Sequence, residues 1–599
     1  MKRILSLFLA VVFVFGTVGF TVAEDTPDPA EMSDSEKWHS FDHDYIYYLL
    51  MEDVSSLNQM FKYPDSMPIA PADSVITLGS YDKSEYDRYY NDMRVFLARL
   101  DEIDRSKLTK DEQYAYDYMY TYIQWDLEGE EFYGCFEPLT AYSGIQADLP
   151  IVFWLYDIRT RADAETYLAL LATVPEFMES LLNYERYRVE LGIFMPESAL
   201  DKVQSDNQAV VTSGEEMFLI GTFETAVDAL SDVTEEERAD LKARNRELVI
   251  SSFVGAYQTL YDGLEELRPY CRPAVGIAEL GNDLYTRFYE YYLRMTCNDD
   301  ITVDDALELM YDYTVVDWTN ALDAIQAGGD FSSETLSIGS VEEDMDYLRA
   351  LNADTLPGVP EPEIQYMIVP EKMRDVFSPA AYLVAALDDP SHVVIILNEP
   401  EKDTGLLRTL AHEGWYGHLY QYAGVRARCK SLSQQFVQNT AYSEAYSQMG
   451  EYFFVENTEA FDNKSLKVDL FAEWMENNLI TYCSIIINGL GYSKTEFRNY
   501  LKNAFGYDSE TADTIYDIGV QLPFYYMPYT YGLSRFRKIY EDVGYSDWKT
   551  FYEDCFAVGP TFFHLLEKEC KAIRGVPENV SYAPEEPELF PPAEELPAA

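Results

Sequence analysis

Across residues 37–570 apolar side chains recur three and four positions apart with few breakers, and that rhythm confines the chain to a mainly α-helical fold. It is clearest in Asp111–Gln124, Arg161–Tyr187 and Glu235–Leu267. Thr302, followed by Asp304 and Asp305, reads as an N-cap with an acidic first turn and opens a helix running toward Ala327. Two short segments depart from this rhythm. Ile364–Val369 is apolar and closes at Pro370, and His392–Leu397 is β-branched and lies between Pro390 and Asn398. Both read as strands of a small sheet. There is no repeat of fixed period. A chain of 599 residues can enclose a large core without disulfide staples.

Charge narrows the partners. Lys and Arg total 44 against 105 Asp and Glu, a formal net charge of −61. Nucleic acids and anionic membrane surfaces would be repelled. Residues 1–23 read as a secretory signal peptide. Lys2 and Arg3 precede the apolar run Ile4–Val18, and Thr21-Val22-Ala23 forms a small-residue cleavage site. The expected location is therefore secreted or cell-envelope. No Cys follows the cleavage site directly, which disfavours a lipid anchor, and no later run of 18 apolar residues predicts a membrane span after signal removal. Residues 24–36 form an acidic leader and 576–599 a Pro/Glu-rich tail expected to be disordered. The seven cysteines are odd in number and include no C-x-x-C pair, which disfavours a cysteine metal site or a disulfide scaffold. Cys271–Cys297 or Cys555–Cys570 are possible pairs, and buried free thiols are the alternative. The 50 tyrosines read as gap-filling amphipathic side chains between helices.

The chemistry concentrates near residue 412. Two of only six histidines lie in His412-Glu413-Gly414-Trp415-Tyr416-Gly417-His418. Two neutral imidazoles and a carboxylate are a zinc donor set, and a neighbouring Glu can take a proton from the activated water. In the H-E-x-x-H arrangement the histidines are four apart and share a helix face. Six residues of regular helix advance about 600°, leaving the two rings about 120° apart. Gly414 and Gly417 tolerate the backbone needed to correct this, so the helix is expected to break between Trp415 and Gly417. Asp403 or Thr404 is expected to cap the helix that carries His412. A third, carboxylate ligand is sought on the helix Asn439–Phe453, where Tyr442, Tyr446, Met449 and Phe453 form an apolar stripe and Glu444 and Glu451 share another face. On its own pattern Glu444 reads equally well as a solvated helix residue.

The stretch His412–His418 followed by Gln421 resembles the H-E-x-x-P-G-H signature of the DUF885 family, which in turn resembles helical zinc metallopeptidases of the gluzincin type. Glu444-Ala-Tyr-Ser-Gln-Met-Gly-Glu451 is similar to the family's E-G-W-A-L-Y-x-E segment, and Pro523–Gly532 to its P-G-Q-A-x-x-Y-x-x-G. Pro379–Asn398 resembles the family's stretch ending in a strand and Asn. Tyr416 stands where the family has Pro, Leu419 where a second His is frequent, Ala445-Tyr446 for Gly-Trp and Phe524-Tyr525 for Gly-Gln. The resemblance implies a large helical metallopeptidase-like fold with a deep cleft and a small sheet near the zinc helix. Residues 37–300 would form an N-terminal helical region intertwined with a catalytic zinc-binding region, 301–575. It implies Zn2+ held by His412, His418 and Glu444, with Glu413 as general base. Tyr529, at the family's Tyr-x-x-Gly position, would hold the oxyanion, with Tyr525, Tyr526 and Tyr531 as rivals. Glu451 would orient a ligand imidazole. His392 would line the cleft or, preferably, be a surface residue. The strand 392–397 would offer an unpaired edge to an extended peptide. The expected activity is hydrolysis of short peptides. A zinc hydrolase of another amide or ester and a non-catalytic binding or envelope protein are the alternatives, and retention of Glu413 argues against the last.

Overall fold

The computed structural model describes residues 32–578 apart from 52–53, 64–74, 333–334, 372–373, 375–376, 399–405 and 438. The expected signal peptide, most of the leader and the tail beyond 578 lie outside the described residues. The chain is mainly helical around one small sheet. The helices expected from periodicity form as Lys110–Glu128, Arg161–Leu191 and Val303–Gln326. Thr302 accepts from the Asp305 amide while the Asp305 carboxylate accepts from the Thr302 amide, closing a capping box. The stretch Glu235–Leu267 is two helices, Glu235–Leu248 and Gly255–Leu267, joined by a π-helical segment Val249–Val254. The leader is shorter than expected. A helix Asp34–Met51 starts inside it because Ser33 and Glu36 satisfy each other's amides, at 2.8 Å and 3.3 Å. Among the described residues no helix is long and apolar enough to cross a membrane. All seven cysteines are free thiols.

The sheet has three strands, β1 (Glu363–Ile368), β2 (Ala380–Leu383) and β3 (His392–Leu397), in the order β1-β3-β2. β1 runs parallel to β3 and β2 antiparallel to it. This corrects the expectation for β3. It is the central strand, paired on both sides, and therefore offers no free edge. Its run Val393–Leu397 is apolar at every position, as a strand packed on both faces requires. The strand beside the histidine segment is β2, which sequence reading missed. Four residues of which two are Ala carry almost no β signal.

The C-terminal helices pack through buried polar contacts as well as apolar ones. Arg537 on the helix Met527–Val543 donates to both oxygens of Asp317 on Val303–Gln326, at 2.8 Å and 3.0 Å. Asn478 on the helix Asn463–Asn488 donates to the same carboxylate at 3.1 Å. Tyr313 and Trp474 cover the guanidinium, with ring centroids 4.7 Å and 5.0 Å away. Three long helices are thus tied at one buried carboxylate, and burial raises the pKa of Asp317 even with Arg537 beside it. Removing one partner strands the other charge. Arg537→Met should destabilise the protein by about 3–5 kcal/mol, read as a fall in thermal midpoint. Arg537→Met combined with Asp317→Leu should recover most of that loss.

Candidate metal centre

The helix that carries His412 spans Leu407–Glu413. Leu406 stands at its N-cap and makes no side-chain cap. The cap expected from Asp403 or Thr404 lies outside the described residues, and the helix starts later than that reading placed it. The helix stops at Gly414 (φ −110°, ψ −115°) and a new one, His418–Arg428, begins after Gly417 (φ −96°, ψ −128°). The break falls where the six-residue spacing requires it. Both glycines are dictated by space. A Cβ on Gly417 would lie 1.7 Å from the His412 carbonyl oxygen, and one on Gly414 would lie 2.8 Å from that of Leu410. The helix Thr440–Asn457 then docks against the break. A Cβ on its Gly450 would meet the Ala411 carbonyl oxygen at 2.5 Å and the Gly417 amide at 2.8 Å. Backbone meets backbone there, and Glu444 is carried down between the two imidazoles.

His412, His418 and Glu444 are all buried, and one ligand atom from each lies within 4.8 Å of the others. His412 Nε2 is 3.5 Å from Glu444 Oε2 and His418 Nε2 is 3.6 Å from Glu444 Oε1. Tetrahedral ligands about 2.0–2.1 Å from zinc stand about 3.4 Å from each other, and the two imidazole–carboxylate edges, each to a different Glu444 oxygen, lie close to that spacing. The two rings stand 83° apart with centroids 5.0 Å apart. Glu444 is fully buried, which removes the reading of it as a solvated helix residue.

Charge points the same way. Glu413, Glu444 and Glu451 all crowd two imidazoles in a buried volume. Burial alone would lower the pKa of His412, but its hydrogen bond to Glu451 and the charges of Glu413 and Glu444 carry it up to about 9. Burial raises Glu413, and the two histidines only partly offset this. Such a pocket calls for a cation, and a donor set of two imidazoles and a carboxylate suits zinc. The residues present fit a metal ion.

The surrounding shell is built in the same way. Glu451 Oε1 lies 2.9 Å from His412 Nδ1, leaving Nε2 to face Glu444. Burial would raise Glu451, but Arg408 and His412 hold it at about 2. Arg408 donates to Glu451 at 2.5 Å and to Glu473 at 2.6 Å. Ser443 Oγ is 3.4 Å from His418 Nδ1. Glu413 Oε2 accepts from the Tyr382 amide of β2 at 2.8 Å, and its Oε1 is 4.0 Å from His412 Nε2. Tyr382, Ser443 and Arg408 were missed from the sequence. Only Arg408 left a trace there, sitting four residues before His412 on the same helix face.

The tyrosines separate. Tyr531 is buried and donates to Asp299 at 3.0 Å, within an ion-pair cluster with Arg535, so it is committed elsewhere. Tyr529 is half-buried, and its carbonyl accepts from Gln448, one turn beyond Glu444, at 2.8 Å. Tyr525 packs on Tyr529 with ring centroids 5.7 Å apart and also senses the charge of Glu444, although burial is the main cause of its raised pKa. Tyr526 packs on Tyr525, its raised pKa owed first to burial. His392 is half-exposed and bonds Asp389 at 2.7 Å on the surface, matching the preferred reading.

Glu451→Gln removes the charge that fixes His412 while keeping its shape. Zinc affinity, measured by chelator competition, should fall about 10–100-fold with helix content unchanged.

The family model described as bacterial protein of unknown function (DUF885) matches residues 73–448, a span that includes His412, Glu413, His418 and Glu444. A crystal structure of a candidate lipoprotein from Colwellia psychrerythraea superposes with a TM-score of 0.75 at 13% identity, covering 91% of this chain and all of that one. A candidate lipoprotein of unknown function from Shewanella oneidensis superposes with a TM-score of 0.58 at 13% identity, covering 90% of this chain and 99% of that one. At such identity the likeness is one of fold. No curated protein matches the chain.

Proposed function

The chain belongs to the DUF885 family, and on that premise we propose that it is an extracytoplasmic zinc-dependent peptidase acting on short peptides. The observation that carries this reading is a buried general-base candidate, Glu413, beside a convergent His412–His418–Glu444 donor set. His412, His418 and Glu444 would hold Zn2+. When bound, the ion would supply Lewis-acid polarisation of the scissile carbonyl and a lower pKa for the attacking water. Glu413 takes the proton from that water and delivers it to the leaving amine. The Tyr382 amide holds one Glu413 oxygen, leaving the other for proton transfer. The hydroxyl of Tyr529, or of its neighbour Tyr525, donates to the developing oxyanion. β2 is an edge of the sheet and lies alongside Glu413, so an extended substrate is aligned by β2 rather than by β3.

Residues 1–23 read as an export signal, and the solved relatives described as candidate lipoproteins support a location outside the cytoplasm. The same metal and base would serve another amide or ester, and nothing in the site favours that over a peptide.

Metal analysis and a peptide-library digest of wild type and Glu413→Gln test the reading together. About one zinc per chain is expected in both proteins, as the donor set predicts. Hydrolysis should fall about 10²–10⁴-fold in the variant. Full activity in Glu413→Gln would refute the base, and absence of zinc from wild type would refute the metal. Tyr529→Phe and Tyr525→Phe compared side by side identify the oxyanion donor. The true donor should cost about 10²-fold or more in kcat, and the other should change it little.

A further inference from the structure

Four tyrosines beside the metal centre keep part of their surface in water. Tyr142 is 40% exposed, and Tyr525, Tyr526 and Tyr529 are each half-buried. Gap-filling accounts for tyrosines inside the apolar cores, but none of these four belongs to a core or packs on one. Their rings meet each other instead. The Tyr525 centroid lies 5.2 Å from that of Tyr142, 5.0 Å from Tyr526 and 5.7 Å from Tyr529, with ring planes inclined at 56°, 85° and 39°. Rings inclined in this way do not cover one another's faces as stacked rings do.

The group is built at the metal centre from two directions. The helix Met527–Val543, which carries Tyr529, lies directly on the helix that bears Glu444: a Cβ on Gly532 would sit 2.4 Å from the Ala441 carbonyl oxygen. Gln448, one turn beyond Glu444, donates to the Tyr529 carbonyl at 2.8 Å. Tyr142 arrives from the N-terminal helices on a short loop that its own backbone holds in shape. The Ile145 amide donates to the Pro138 carbonyl at 3.0 Å, and the Gly144 amide to Asp148 at 3.2 Å. Charge then selects the occupant. Burial is the main cause of the raised pKa of Tyr525 and of Tyr526, and the carboxylates that add to it are Glu444 at the first and Glu476 at the second. Glu476 is exposed, on the helix Asn463–Asn488. Aromatic faces beside a carboxylate attract a cation, and an anionic side chain would be repelled both there and by a chain of net charge −61.

We propose that Tyr142, Tyr525 and Tyr526, together with Glu476, receive the cationic side chain of a Lys or Arg flanking the scissile bond, so that the enzyme prefers basic peptides. The proposal rests on the peptidase reading above and adds to it a substrate class. Tyr142 and Glu476 determine specificity in this scheme and take no part in bond breaking.

The test compares matched peptides with Lys, the neutral isostere norleucine, or Glu on either side of the cleaved bond. Wild type should favour Lys over norleucine by about 5–30-fold in kcat/KM, the span of a partly desolvated cation–π contact aided by a carboxylate, with Glu poorest. Tyr142→Leu, which keeps an apolar surface but loses the aromatic face, should remove most of the preference by raising KM for the Lys peptide, with kcat for the norleucine peptide unchanged. Tyr142→Phe should retain the preference. Glu476→Gln should reduce it about 2–5-fold, more at low salt than at high. Equal turnover of the Lys and norleucine peptides by wild type, or a preference untouched by both Tyr142→Leu and Glu476→Gln, would overturn the assignment. Calorimetric binding of the same peptides to wild type decides the point even if none is cleaved. Absence of cleavage counts against the peptidase reading, whereas equal binding of the Lys and norleucine peptides, or binding of neither, counts against the tyrosine site.

Discussion

The contact on which the site depends is the backbone approach of Gly450 to Ala411 and Gly417. It lets one helix lie directly against the interruption of another, with no side chain between them. Distance decides everything that follows. Displacing the helix Thr440–Asn457 by the thickness of a methyl group would withdraw Glu444 from both imidazoles and Glu451 from His412. A six-residue spacing is tolerated because the chain is interrupted for four residues and restarted at His418, and this changes the angle between the rings without lengthening the segment. Glycine at 414, 417 and 450 is therefore a consequence of packing, at ordinary negative φ values where the first two are concerned.

Electrostatics then orders the site in layers. Arg408 neutralises Glu451, Glu451 fixes His412, and His412 turns Nε2 toward Glu444. Glu413 is held from the other side by a backbone amide, a neutral donor, and so keeps a pKa raised by burial. The two carboxylates have opposite environments. Glu451 is held between Arg408 and His412 and stays ionised, whereas at Glu413 burial outweighs the two histidines and raises the pKa.

How much of this was legible in the sequence follows from the range of each signal. Helices with strong periodicity and caps, such as Val303–Gln326, were readable because propensity, capping and pattern agree locally. A break before His418 was readable because helix geometry forbids the alternative, although it begins at Gly414 and not at the expected Trp415. Burial of Glu444 was not, since the same residue at the same spacing fits a solvated face. Strand order was also beyond local reading. β3 looked like an edge because its partner β2 is four residues with little β character, and pairing is a non-local property. Ser443 and Tyr382 owe their places to contacts between elements and left no periodic mark.

The N-terminal helices, far from the histidines in sequence, help position the walls of the site. Asp42 accepts from the Leu432 and Ser433 amides, both at 2.9 Å, and so caps the short helix Leu432–Phe436 that leads into the helix bearing Glu444. Tyr118 donates to the Val437 carbonyl in the same connection. From another direction Tyr142 sets its ring 5.2 Å from that of Tyr525, beside the candidate oxyanion donors. The loop under Tyr142 is held by Gln146, which donates to the Thr140 carbonyl at 2.7 Å. A donor set carried by two helix segments and a third helix could assemble without these contacts. Its aromatic wall could not, because Tyr525, on which Tyr529 packs, faces Tyr142. Contacts from the earlier half thus fix the wall beside the donor set that the later half carries.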